Sequence, residues 1–131
     1  MANAKQKKPS VYIETFLDFI DQCKTDYQSA YDAVGDYDKL QQDLLHEMEF
    51  AQDKSERNRV ATKMHRCRVD RRKNKDAVKE LDEIVKFFNE QNNKSTVNKL
   101  KQLLGRQRKT EEYLESDRVY KPRKGGMINE N

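Results

Sequence analysis

The chain has 131 residues, of which 34% are apolar and 38% are charged, and its formal net charge is +4. Because compact globular domains are roughly 45–50% apolar, this composition excludes a thick spherical core and favours long helices that bury narrow apolar seams. No stretch approaches the roughly 18 apolar residues of a membrane span, and the polar start "MANAKQKKPS" is not a secretory signal, so we expect a cytoplasmic protein with reduced cysteines.

The charge is polarised along the sequence. Residues 10–56 hold twelve acidic and three basic side chains, whereas residues 57–131 hold twenty-one basic and eleven acidic ones. The acidic half can screen the basic half, either within one chain or in a partner copy. The pI of about 9.0 is therefore weak evidence for nucleic-acid binding, and we disfavour nucleic acid as a partner.

A long first helix is predicted after a basic, disordered N-terminus at residues 1–9. Apolar side chains recur three and four residues apart over nearly six heptads, with Gln41 as one polar interruption, and Leu17 widens the stripe. The members of this seam are Ile13, Phe16, Ile20, Cys23, Tyr27, Ala30, Val34, Tyr37, Leu44, Met48 and Ala51. The pattern predicts one helix that packs against more than one neighbour.

A second helix should begin near residue 53, with either Asp53 or Ser55 as its N-cap. Its seam runs from Val60 to Phe88, and the short connection predicts an antiparallel helical hairpin. The run "NEQNNKS" is expected to be a loop that ends in an N-cap at Ser95, followed by a third helix that fades near Asp117.

The predicted fold is therefore all-α, with a long antiparallel helical hairpin, a third helix and an extended C-terminal tail. We expect residues 10–117 to form a single helical domain and residues 118–131 to form an extended tail with a flexible end. Because a narrow seam is thin for a lone chain, we expect assembly as a dimer or higher homo-oligomer.

The basic run "CRVDRRKNKD", residues 67–76, lies within the second helix. Basic side chains from Lys63 to Lys75 point all round a helical cylinder, so most are expected to solvate the surface or to pair with the acidic first helix. Arg71 differs, because its seam position directs it into a helix interface, where an unpaired guanidinium would cost several kcal/mol. It requires a carboxylate or an anionic ligand.

A second group of residues combines an aromatic face, an amide and several guanidiniums, which together suit a nucleotide pocket. Its members are Phe87, Phe88, Asn98, Arg106, Arg108, Arg118, Tyr120, Lys121 and Arg123. The alternative is that Phe88 is ordinary core and the arginines are solvated. His46 and His65 lack metal-ligand spacing, and no catalytic motif is present, so we expect no metal, no cofactor and no enzymatic activity.

Two segments resemble a known family. "LLHEMEF…ERNRVATKMHRCRVDRRKNKD", residues 44–76, carries an RR-x-x-KD pattern, and "VNKLKQLLGRQRKTEEYLESDRVYKPR", residues 97–123, carries L-x-x-x-R-K-x-E-x-Y and R-x-Y-x-P-R. Together they resemble the bacteriophage Thoeris anti-defence sponges. The resemblance implies a non-enzymatic, dimer-based protein of the infected bacterial cytoplasm that captures glycocyclic ADP-ribose and, in some members, cyclic trinucleotides.

The resemblance also implies a ligand site at Phe88, Asn98, Arg118 and Arg123. The Phe and the Asn lie ten residues apart, as in the family pattern. Two alternatives stay open from the residues themselves. The acidic first helix, with Asp32, Asp36 and Asp38, fits an inhibitor that binds a host protein, and the basic second helix fits a nucleic-acid-binding phage regulator.

Overall fold

The computed structural model describes residues 7–120 and 122. It contains three helices, α1 (Pro9–Glu49), α2 (Lys54–Asn89) and α3 (Gln91–Glu115). There is no strand in this part of the chain. The prediction of an all-α fold with three helices is confirmed. Within residues 7–120, none of the helices is both long and apolar enough to span a bilayer.

Helix α1 is a single 41-residue helix that begins with Pro9. Proline is favoured at the first helical position because its missing N–H would have no partner there. The predicted seam is buried at Ile20, Cys23, Ala30 and Leu44, and its other members apart from Phe16 are half-buried. Phe16, predicted to lie in the seam, is 43% exposed, and the neighbouring Leu17 is buried instead.

The start of α2 matches one of the two predicted caps. The Asp53 side chain accepts a hydrogen bond of 2.8 Å from the Glu56 backbone N–H, and the Glu56 carboxylate accepts one of 2.9 Å from the Gln52 N–H. The bond to Asp53 satisfies a backbone donor that an α-helix leaves free in its first turn, and the bond to Glu56 holds the residue that precedes the cap. Ser55 therefore lies inside the first turn of α2.

Helices α1 and α2 form the predicted antiparallel hairpin. The core cluster near the turn joins Leu44 to Val60 and Cys67. At the other end, the ring of Phe88 packs against that of Phe16. As the residue numbers rise along α2, the residues that they contact on α1 have falling numbers, so the two helices are antiparallel.

The predicted loop at residues 89–95 is wrong. Helix α3 begins at Gln91, and the single residue Glu90, with φ −64° and ψ 140°, separates it from α2. The Asn93 side-chain amide donates to the Phe87 carbonyl at 2.7 Å and to the Glu90 carboxylate at 3.2 Å. Asn93 thus caps the end of α2 from inside α3, and the part of the run that follows Glu90 is helical. Ser95 is not the N-cap.

Polar contacts tie the second half of α3 to the start of α1. Arg108 pairs with Glu14 at 2.8 Å, and the Glu111 carboxylate accepts hydrogen bonds from the Ser10 N–H at 3.0 Å and the Ser10 hydroxyl at 2.5 Å. An ion pair between Lys8 and Glu115 continues the series. Helix α3 ends at Glu115, close to the expected end near Asp117.

Candidate functional site

A cluster of three phenylalanines lies at the end of α2. The half-buried Phe88 ring meets the edge of Phe16 at a centroid distance of 6.2 Å and of Phe87 at 5.1 Å. Phe16 is 43% exposed and Phe87 is 52% exposed. Edge-to-face packing fixes the three rings, while their exposed surface remains available for a further aromatic group. We call these three residues the phenylalanine cluster.

A polar network of Tyr27, Asp82 and Lys86 joins α1 to α2. The Tyr27 hydroxyl donates to the Asp82 carboxylate at 3.2 Å, and Lys86 pairs with the same carboxylate at 2.8 Å. The hydrogen bond from Lys86 lowers the pKa of Asp82. Burial and the contact with Asp82 raise the pKa of Tyr27, so its phenol stays neutral and remains a hydrogen-bond donor at neutral pH.

Asn98 and Arg106 are exposed on α3. Because α3 begins at Gln91, four residues before the expected cap at Ser95, Asn98 lies in the second turn of α3. An exposed amide and an exposed guanidinium are free to meet a ligand or a second chain.

The C-terminal members of the predicted pocket have separate partners or lie outside the described residues. Arg108 is paired with Glu14, and the Arg118 guanidinium lies 5.1 Å from the ring centre of Tyr113. Tyr120 is 80% exposed, and Lys121 and Arg123 lie outside the described residues. Within the described part of the chain, and apart from the ring contact between Phe87 and Phe88, no hydrogen bond, ion pair or ring contact joins the predicted ligand residues to one another.

Arg71 has the carboxylate partner that its seam position requires. Its Nε lies 2.5 Å from the Asp38 carboxylate, across the interface between α2 and α1. The Arg71 side chain is 32% exposed and that of Asp38 is 53% exposed. The pair is therefore open to solvent, and an incoming anion can compete with Asp38 for the guanidinium.

Three further basic residues surround Arg71 in a groove of about 420 Å³, which we call the hairpin groove. They are Arg68, Arg72 and Lys75, and Gln41 and Asp76 complete the lining. All three are exposed, and none forms an ion pair with the residues that the structure describes.

This groove was not predicted from the sequence, because only Arg71 was separated from the run between Lys63 and Lys75 and most of the other basic residues were expected to solvate the surface or to pair with α1. Arg71, Arg72 and Lys75 follow Arg68 by three, four and seven residues, which places all four on one helical face. The same spacing rule that found the apolar seams would have separated this subset.

Metal-ligand and thiol groups are further candidate sites in the described part of the chain. No group of three His, Cys, Asp or Glu side chains in residues 7–120 and 122 is placed to hold a metal ion. Cys23 is buried, and burial raises the pKa of its thiol, which disfavours a nucleophilic thiolate. The phenylalanine cluster can stack on a flat ring, the exposed Asn98 amide can form hydrogen bonds, and the basic side chains of the hairpin groove can form ion pairs with phosphate groups.

Comparison of the chain with protein-family models, with curated proteins and with solved structures finds no match.

Proposed function

We propose that this protein is a non-enzymatic phage anti-defence protein that binds and sequesters a cyclic nucleotide immune signal in the cytoplasm of the infected bacterium. The ligand class is that of glycocyclic ADP-ribose, with cyclic oligonucleotides as related ligands. Phe88 and Asn98 contact the base and ribose, and Arg118 and Arg123 from a paired chain contact the phosphates.

The observation that carries the proposal is the phenylalanine cluster. Its rings are fixed against one another yet partly exposed, and stacking of a base on such a surface contributes roughly 1–3 kcal/mol. Asn98 lies on α3, and a single non-helical residue, Glu90, separates α3 from α2. A half-exposed aromatic surface with an amide on the adjoining helix supports recognition of a nucleoside.

Pairing of two chains supplies the arginines in this proposal. Several large apolar side chains stay exposed on one chain, such as Tyr12 (59%), Phe19 (48%) and Leu114 (56%). A second copy would bury such surface, because removal of apolar area from water stabilises association. The tail that carries Arg118 begins directly after α3, so pairing can bring the tail of one chain to the phenylalanine cluster of the other.

Capture without cleavage follows from the groups assigned to the site. A phenyl ring and an amide do not titrate, and a guanidinium group carries no proton that it can release in a protein. General acid–base catalysis requires a group that exchanges protons near the working pH. These side chains bind phosphates and bases but do not shuttle protons.

The direct test incubates the protein with lysate from cells in which nucleotide-based immunity has been triggered. The protein is then washed and heated, and the released small molecules are analysed by mass spectrometry. We expect an intact cyclic nucleotide from the wild type, and at least a tenfold smaller yield from Phe88→Ala and Asn98→Ala. Phe50→Ala is the matched control, because Phe50 is 74% exposed at the opposite end of the hairpin. A cleaved nucleotide, or equal yields from all variants, would contradict the proposal.

A further inference from the structure

The hairpin groove continues into an apolar recess of about 310 Å³ on the same hairpin. Tyr31, Val34, Gly35 and Val78 line the recess, and Asp38 and Lys75 lie at its polar edge. Lys75 lines both cavities, so a cationic groove and an apolar recess form one continuous surface. This surface is distinct from the phenylalanine cluster.

The cationic part matches a small phosphate group better than a polymer. Lys75 follows Arg68 by seven residues, so the basic side chains span about 10 Å along the axis of α2. That length fits a diphosphate, whereas a duplex needs a longer basic track and would meet the acidic side chains of α1. The exposed guanidiniums of Arg68 and Arg72 suit bidentate phosphate contacts.

The apolar part offers a fixed aromatic ring. Tyr31 is 60% exposed, and its ring lies nearly parallel to that of Tyr27, at 24° and a centroid distance of 6.3 Å. Tyr27 is itself held by its hydrogen bond to Asp82. This chain of contacts orients Tyr31 before any ligand arrives, which reduces the entropy lost on binding.

Gly35 keeps the recess open. It lies inside α1, where glycine is less stable than alanine, yet a Cβ placed on it meets no neighbouring atom within 4 Å. Packing within the chain therefore does not require glycine at this position. Because Gly35 has no side chain, free space remains beside Tyr31, and a flat ligand can approach the backbone of α1 there.

We propose that the hairpin groove and its apolar recess form a second ligand site, which takes a purine nucleotide with two phosphates. The base lies against Tyr31 and over Gly35, between Val34 and Val78. The phosphates extend past Lys75 to Arg72 and Arg68. Arg71 joins them when the phosphates displace Asp38.

The test measures binding of ADP and of inorganic pyrophosphate by isothermal titration calorimetry. Wild type should bind ADP at least about tenfold more tightly than pyrophosphate, because only ADP fills the recess. Gly35→Leu, whose side chain fills the recess, should weaken ADP binding at least tenfold and change pyrophosphate binding less than twofold. Tyr31→Ala should weaken ADP binding in the same selective way.

Matched controls separate this site from other effects. Gly105→Leu makes the same exchange on α3, where a Cβ also meets nothing within 4 Å, and should leave both affinities unchanged. Arg68→Gln/Arg72→Gln should weaken both ligands, whereas Lys73→Gln/Lys79→Gln, with the same loss of charge, should change each less than twofold. Circular dichroism checks that each variant remains helical.

The outcomes also separate this site from the proposed cyclic-nucleotide site. Phe88→Ala should leave ADP binding at the hairpin groove unchanged. No binding of ADP by the wild type, equal affinity for ADP and pyrophosphate, or full ADP affinity in Gly35→Leu would overturn the second site. None of these results bears on the nucleotide yield from Phe88→Ala in lysate.

Discussion

At the scale of single residues, Asp38 controls how much of the Arg71 charge a ligand can use. The two side chains pair at 2.5 Å but are both open to solvent. Solvent-exposed ion pairs contribute little to stability, usually below about 1 kcal/mol. Asp38 is therefore better understood as a competitor for anions than as a structural clamp.

We expect Asp38→Asn to strengthen pyrophosphate binding about threefold or more, because the variant leaves Arg71 without its carboxylate. The free energy of unfolding should fall by less than about 1 kcal/mol. Calorimetric titration and thermal denaturation measure the two effects. Asp36→Asn removes an equal charge from an exposed site, and an equal gain in that variant would show that only net charge matters.

The environment of Arg71 was predictable from the sequence only in part. The position of Arg71 beside α1 and its carboxylate partner followed from the seam, whereas its expected burial did not, because the Arg71 side chain is 32% exposed and that of Asp38 is 53% exposed. The identity of the partner did not follow from the sequence, because any acidic residue of α1 that lies opposite Arg71 in the hairpin could form the same ion pair. The pairing of Arg108 with Glu14 depends on tertiary packing, which sequence spacing does not encode, whereas Arg118 lies over Tyr113, only five residues earlier in the chain.

At the scale of helices, the hairpin depends on a narrow line of buried side chains. Leu44 is 4% exposed and packs with Val60 and Cys67, whereas the adjacent Leu45 is 40% exposed. A leucine in such a seam stabilises the folded state in two ways, because its side chain is removed from water and because it fills space that would otherwise be a cavity. The side chain of Leu45 keeps much of its contact with water, so it adds less to the free energy of unfolding.

Leu44→Ala should therefore destabilise the protein by about 2–5 kcal/mol. Leu45→Ala, which is the same chemical change one residue away, should cost less than about 1 kcal/mol. Urea denaturation followed by circular dichroism gives both values. Equal losses for the two variants would mean that the hairpin interface has been assigned to the wrong face of α1.

The attachment of α3 to α1 should depend on pH. Hydrogen bonds from Ser10 to the Glu111 carboxylate lower the pKa of Glu111 below its ordinary value of 4.5. A carboxylate with a lowered pKa in the folded state stabilises that state above its ordinary pKa. This contribution is lost as the pH falls below 4.5 through the folded-state pKa.

We expect amide protection in the second half of α3 to fall between pH 6 and pH 3, as measured by hydrogen exchange and corrected for the intrinsic exchange rate. Glu111→Gln should lower this protection already at pH 6 and flatten its pH dependence. Glu112→Gln, at an exposed neighbouring position, should behave as wild type. A wild-type profile in Glu111→Gln would rule out this carboxylate as the pH-sensitive contact.

Helix positions were more predictable than helix connections. Three- and four-residue spacing located α1 and α2, and the Asp53 cap marked the start of α2. The "NEQNNKS" run looked like a loop because asparagine has a low helix propensity. Asn93 overrides that propensity by capping α2, and this contact exists only once the helices meet at Glu90.

At the scale of the whole molecule, the polarised charge is used within the chain. The acidic α1 faces the basic α2 and α3, as the pairs Asp38–Arg71 and Glu14–Arg108 show. This internal pairing weakens the case for a nucleic-acid regulator. It also uses one of the three carboxylates, Asp32, Asp36 and Asp38, on which an acidic docking surface for a host protein would depend.

The proposed function requires chains to pair and to hold a nucleotide without changing it. Native mass spectrometry of the protein purified from immune-triggered lysate measures the number of chains and the mass of the ligand in one spectrum. We expect an assembly of at least two chains that carries an intact cyclic nucleotide, and loss of that ligand mass in Phe88→Ala. A single chain without ligand, or an assembly that carries the mass of a hydrolysed nucleotide, would contradict the account.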